Sequence, residues 1–187
     1  MLFESYCVLR NIYRRWNSDY GKILQTLLAI SFDPRRGGFF VQNRLVEGVD
    51  LELTRGSDKY AIEVKTTEGT EISLQEKDIE GLRVKTFHGF TTAVAVLRLE
   101  RAENWIIANA ATLSVRDYTP ARLGLYSIQN LENIALQNFE KTLLEFHEAI
   151  LSPPGGQVLD FLTSILRQET TQPESFGRNS TNAFTED

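Results

Sequence analysis

Between Leu2 and Trp16 apolar residues return at three- and four-residue intervals, with arginines interleaved, and this spacing predicts an amphipathic helix. A second helix is predicted from Asp19 to Ile30, closed by the breaker Asp33-Pro34-Arg35-Arg36-Gly37-Gly38. The period then shortens to two. Phe39 to Asn43, Val49 to Thr54 and Lys59 to Thr66 read as three strands of an antiparallel meander, the last two joined by the turn Arg55-Gly56-Ser57-Asp58. Ser73, followed three residues later by Glu76, looks like a capping box opening a helix to about Phe87. Phe90 to Leu99 is an apolar, β-branched run suited to a central strand, and Glu103 to Asn109 pairs beside it. A long amphipathic helix is expected from Ser127 to about Leu151, ended by Ser152-Pro153-Pro154-Gly155-Gly156, then a shorter one from Val158 to Gln168. From about Glu169 the chain is too polar to bury a core and is expected to be disordered. The order α, α, β, β, β, α, β, β implies an α/β protein.

Composition adds limits rather than a function. A chain of 187 residues with 42% hydrophobic and 24% charged residues suits one domain, here residues 1–168, with a core at about 18–110 and a C-terminal helical extension at about 127–168. No apolar stretch approaches the roughly 18 residues of a membrane span and no signal peptide is evident, so the expectation is a cytoplasmic protein with no membrane partner. The lone Cys7 excludes an internal disulfide and a thiolate-rich zinc site. A net charge of −5 argues against nucleic-acid binding until its distribution is examined. Residues 1–101 hold 15 Lys and Arg against 14 Asp and Glu, whereas 102–187 hold 5 against 11. Arg14, Arg15, Arg35, Arg36, Arg44, Lys59, Lys77, Arg83 and Lys85 could therefore line one basic surface in the near-neutral half.

Candidate chemistry sits on the predicted meander. In Tyr60-Ala61-Ile62-Glu63-Val64-Lys65, strand geometry turns Ile62 and Val64 to one face and Glu63 with Lys65 to the other. In Gly48-Val49-Asp50-Leu51-Glu52-Leu53 the same rule places Val49, Leu51 and Leu53 on one face and Asp50 with Glu52 opposite. If the strands pair, acids and one lysine converge, and that set suits phosphodiester hydrolysis. Asp50 and Glu63, with the backbone carbonyl of Val64, could hold Mg²⁺, while Lys65 orients water and offsets charge in the transition state. A Glu and a Lys two apart also form plain cross-strand pairs on any exposed sheet face, so the tripeptide alone decides nothing.

Taken with its context, the stretch from Gly38 to about Ala108 resembles the PD-(D/E)XK nuclease superfamily, and within it the archaeal Holliday-junction resolvases and related small nucleases. The likeness is carried by Gly48-Val49-Asp50, by Ile62-Glu63-Val64-Lys65-Thr66-Thr67, by Ile72-Ser73-Leu74 before a helix, and by Ala93-Val94-Ala95-Val96-Leu97 followed by Asn104-Trp105-Ile106-Ile107. It implies a restriction-endonuclease-like mixed β-sheet with an αβββαβ core flanked by helices, Mg²⁺-dependent DNA cleavage (Mn²⁺ substituting) and often a homodimer. Asp50 matches the motif aspartate, Glu63 the acidic position and Lys65 the lysine, while Val49 stands where the family has proline. For the extra carboxylate that many members supply from an N-terminal helix the candidates are Asp19 and, behind it, Glu4. For a further polar residue on the following helix they are Gln75 and Lys77.

The remaining candidates are weaker. Glu52 reads as a strand-surface residue rather than a ligand, and His88 and His147 lack metal-spaced or nucleophile partners. Gly37-Gly38 and Gly155-Gly156 have no phosphate-loop context, so no nucleotide cofactor is expected. The helix near 128–150 could complete the domain, form a dimer interface or touch DNA, although its Glu132, Glu140, Glu145 and Glu148 oppose phosphate contact. The competing function is a catalytically silent module of the same fold that only binds DNA or a partner protein.

Overall fold

The computed structural model describes residues 1–44, 48–99, 104–153 and 157–170, together with the helical path of 168–170 but not their side chains. Two helices, α1 (Phe3–Trp16) and α2 (Tyr20–Phe32), precede strands β1 (Phe40–Asn43), β2 (Leu51–Arg55) and β3 (Asp58–Thr67). Then come β4 (Ile72–Leu74), helix α3 (Glu76–Phe87), β5 (Thr91–Arg98), β6 (Ile106–Asn109) and β7 (Arg116–Tyr118). The short α4 (Pro120–Leu123) and a 3₁₀ turn at Gly124–Tyr126 lead into α5 (Gln129–Leu151) and α6 (Val158–Thr170).

Five strands form one mixed sheet in the order β1-β2-β3-β5-β6, flanked by helices on both faces. The meander β1-β2-β3 is antiparallel, with Leu51 opposite Ile62 and Val41 opposite Leu53. β5 lies parallel to β3, pairing Glu63 with Val94 and Lys65 with Val96, and β6 runs antiparallel to β5. A parallel pair needs a crossover, and β4 with α3 supplies it. β5 is buried from Thr92 through Arg98, as its unbroken apolar run requires of a strand covered on both faces.

One sheet face presents Leu51, Leu53, Ile62, Ala93 and Ala95 to α2, which is buried from Ile23 to Phe32 because α1, α5 and α6 enclose it. A helix apolar on all sides is stable only when so enclosed. α5 thus completes the domain with Leu131, Ala135, Phe139 and Leu143, and Trp16 Nε1 donates to the Ile150 carbonyl at 2.9 Å to tie α1 to its far end. It also shields the β6 edge, where Ile107 N–H donates to Glu132 Oε1 at 2.8 Å and its carbonyl accepts from Ile128 N–H at 2.7 Å. The other face carries Ala61, Val94 and Val96 against Ile79 and Leu82 of α3 and against Ile72, Leu74 and Tyr118 of the two-stranded β4-β7 sheet.

Several local expectations are corrected. Ser73 lies within β4, opposite Asp117 of β7, and the N-cap of α3 is Gln75, with Asp78 completing the reciprocal box. Val49 leaves the face of Leu51 and Leu53 and packs into the α3-side cluster, since the chain bends at Gly48 (φ 108°) before β2 begins. The basic residues do not share one surface. Arg36 is held by Asp33 (2.7 Å) and Glu145 (3.1 Å) beside α5, while Arg44 and Lys85 gather at Glu52 on the opposite face. α6 extends to Thr170, and the tail from 171, the site of the expected disorder, lies outside the described residues. No described helix is long and apolar enough to cross a membrane.

The tight corner from Phe32 to β1 shows why glycines stand there. A Cβ on Gly37 would lie 2.6 Å from the Phe32 Cα, and Gly38 adopts φ 78°. Buried Asp33 fixes the corner by accepting the N–H groups of Arg35 (2.8 Å) and Arg36 (3.0 Å) on Oδ1.

Candidate active site

β3 places Glu63 and Lys65 on the face covered by α3, as its alternation dictates. Asp50 stands one residue before β2, opposite Glu63 in the extended register. There its side chain takes over the ladder: Asp50 Oδ2 accepts the Val64 N–H at 2.7 Å. A residue's N–H and C=O point to the same edge of a strand, so the Val64 carbonyl also opens toward Asp50. Gln25, a buried polar residue inside apolar α2, anchors the segment from beneath by donating through Nε2 to the carbonyls of Arg44 (2.8 Å) and Asp50 (3.3 Å) and to Asn43 Oδ1 (2.8 Å).

Lys65 Nζ sits 2.8 Å from Glu63 Oε1 and 2.8 Å from Asp78 Oδ2. Asp78, in the first turn of α3, is buried and its Oδ2 also accepts the Gln75 N–H at 3.0 Å. Asp50, Glu63, Lys65 and Asp78 are therefore one electrostatic unit, and Asp78 is the member that the sequence reading did not single out. Its signal was present: an acid three residues after a residue able to cap α3, in a frame two residues beyond the one chosen at Ser73.

Three carboxylates and one ammonium in a partly dry site leave negative charge in excess. Burial pushes the Asp50 carboxyl up to about 6, despite the Val64 N–H and the charge of Lys65, and Lys77 pulls weakly in the same downward direction. Burial, followed by the charge of Asp50, pushes Glu63 up to about 7. At Asp78 the hydrogen bonds from Lys65 and the Gln75 N–H outweigh burial and hold the carboxyl below its ordinary value. At Lys65 burial opposes the charge, but hydrogen bonds to Asp78 and Glu63 prevail and raise it. Two acids lifted toward neutrality beside a lysine that is itself ion-paired form an arrangement able to take up a cation or exchange a proton, which a structural ion-pair network can also produce.

The other candidates fall away from this centre. Asp19 occupies the N-cap position of α2 and Glu4 the exposed first turn of α1; among the described residues no hydrogen bond or ion pair joins either side chain to Asp50, Glu63 or Lys65. Gln75 contributes its backbone N–H, and its side chain is exposed. Glu52 is 8% exposed rather than a surface residue, 2.8 Å from both Arg44 Nε and Lys85 Nζ. His88 ends α3 with its ring against Phe87, and His147 Nδ1 faces the Leu144 carbonyl at 2.7 Å. Among the described residues no group of three or more His, Cys, Asp or Glu is arranged to hold a metal, so any ion here would rest on two carboxylates and backbone or water oxygens.

No family model and no curated protein matches the chain. Among solved structures it is similar to Hjc, a Holliday junction resolvase from the archaeal hyperthermophile Archaeoglobus fulgidus. That similarity has a TM-score of 0.44 and 18% identity, and covers 51% of this chain and 83% of the other.

Proposed function

We propose that the chain is a metal-dependent nuclease that hydrolyses DNA phosphodiester bonds, with Asp50, Glu63 and the Val64 carbonyl as ligands of Mg²⁺ or Mn²⁺. The observation carrying this reading is geometric: half-buried Asp50, bonded to the Val64 N–H at 2.7 Å, stands opposite buried Glu63 in the extended β2–β3 register, and burial lifts both carboxyls. The donors are all hard oxygens, as Mg²⁺ requires, and their excess negative charge is what a dication relieves. Bound there, the ion would polarise the scissile phosphate and lower the pKa of a water. Lys65, held between Glu63 and Asp78, presents a fixed N–H donor to that water or to a phosphate oxygen. Asp78 keeps the ammonium charged and aimed, and the Asp50 contact to Val64 holds the β2 end against β3. A homodimer, one copy per DNA strand, belongs to the same reading.

The test is cleavage of linear, mismatched, flapped and four-way-junction DNA with Mg²⁺ or Mn²⁺. Strand cuts that vanish with EDTA and in Asp50→Ala and Lys65→Ala support the proposal. Metal-independent cuts, or cuts surviving in both variants, contradict it, and binding with no cuts on any substrate returns the silent binding module.

A further inference from the structure

The face that carries Glu63 continues beyond the carboxylates into a groove of about 430 Å³ whose lining includes Phe40, Gln42, Glu52, Thr54, Lys59 and Phe90. Strand register aligns Gln42, Glu52 and Ala61 in one row, and Phe40, Thr54 and Lys59 in the next. Along β3, Lys59 is four residues from Glu63, or about 13 Å at strand rise. That separation is one to two nucleotides of an extended strand. Phe40 is 57% exposed on the edge strand, an orientation unsuited to a core residue and suited to a stacking platform. Charge is compatible as well. The one lining carboxylate, Glu52, is paired with both Arg44 and Lys85 from beside the groove, Lys85 Nζ stands 5.3 Å from the Phe90 ring centroid, and the one lining cation, Lys59, is exposed.

We propose that this groove is a subsite for an unpaired nucleotide of the DNA, whose base stacks on Phe40 and whose phosphate meets Lys59. The inference rests on the nuclease reading and adds a substrate class: DNA with single-stranded nucleotides flanking the cut is engaged in preference to continuous duplex. A base within a duplex is stacked on its neighbours and cannot lie flat on a side chain, whereas an unpaired base exchanges water for the ring.

The experiment uses the full chain in EDTA, so that binding is read without cleavage, with fluorescent oligonucleotides followed by anisotropy. Wild type is expected to bind a thymidine single strand more tightly than a duplex of equal length. Phe40→Ala should weaken single-strand binding roughly tenfold, and Lys59→Ala should weaken it with a smaller salt dependence. Thermal unfolding checks that both variants fold. A strand carrying an abasic residue at the stacked position should bind wild type and Phe40→Ala alike. The inference is overturned if Phe40→Ala binds single strands as wild type does, if duplex is preferred, or if no oligonucleotide binds. Phe40-dependent binding with no metal-dependent cleavage would overturn only the catalytic reading, and cleavage of plain duplex indifferent to Phe40 would overturn only this one.

Discussion

Glu63→Gln should make the metal-free protein more stable at pH 8 while ending cleavage. Glu63 is 7% exposed, and its carboxyl is lifted from the ordinary 4.5 to about 7 by burial and the neighbouring Asp50. A folded-state value above the unfolded one means that stability is full below about pH 4.5 and is lost as pH rises through about 7. At about 1.4 kcal/mol per unit, the ionised side chain costs at most ~3 kcal/mol at pH 8 and under ~1 kcal/mol at pH 5. That cost is already net of the Lys65 contact; the amide removes it but must itself be buried with imperfectly matched partners, which returns about 1–2 kcal/mol. The net gain at pH 8 is about 1–2 kcal/mol, or roughly 2–8 °C in Tm for a chain of this size. Thermal unfolding in EDTA at pH 5 and pH 8 reads it directly. A Tm gain present at pH 8 and absent at pH 5 is the expected outcome. An equal shift at both pH values, or a loss at pH 8, would refute the claim that Glu63 is a strained buried carboxylate.

Other perturbations separate the roles within the site. Asp50→Ala should abolish both Mg²⁺ binding by calorimetry and cleavage, whereas Lys65→Ala should abolish cleavage and leave Mg²⁺ binding measurable. Asp78→Asn should lower stability by about 1–2 kcal/mol at pH 7, from the lost Lys65 pair and the weakened α3 cap. Because the Asp78 carboxyl is held below 3.8, its contribution is present above that pH and disappears as pH falls further, so the deficit in denaturant unfolding should shrink in acid. Gly37→Ala, which forces a Cβ to within 2.6 Å of the Phe32 backbone, should cost about 1–3 kcal/mol in denaturant unfolding while leaving Mg²⁺ affinity unchanged.

Residues on regular strands were the legible part of the site. Glu63 and Lys65 share a face because a strand alternates, and no tertiary information is needed to place them. Asp50 was placed beside them by assuming that β2 pairs with β3, yet its geometry is different from a strand residue's: it precedes β2, and its side chain caps the Val64 N–H. Asp78 was hidden by a competing local signal. Ser73 and Glu76 offer a capping box, but Ser73 is drawn into β4 by pairing with Asp117, a partner far along the chain that no nearby residue announces. Glu52 illustrates the same limit in charge, since its strand position was clear but its burial between Arg44 and Lys85 depends on a helix packed from elsewhere. Gln25 was not singled out at all, because its role rests on the carbonyls of Arg44 and Asp50, partners that only the fold brings to it.

The most direct test of the account is crystallography of the protein soaked in Mn²⁺, read by anomalous scattering. The account predicts one strong peak bonded to carboxylate oxygens of Asp50 and Glu63 and to the Val64 carbonyl oxygen, absent from Asp50→Ala crystals. Saturating Mn²⁺ with no peak between these two carboxylates, or with peaks only elsewhere on the chain, would contradict it.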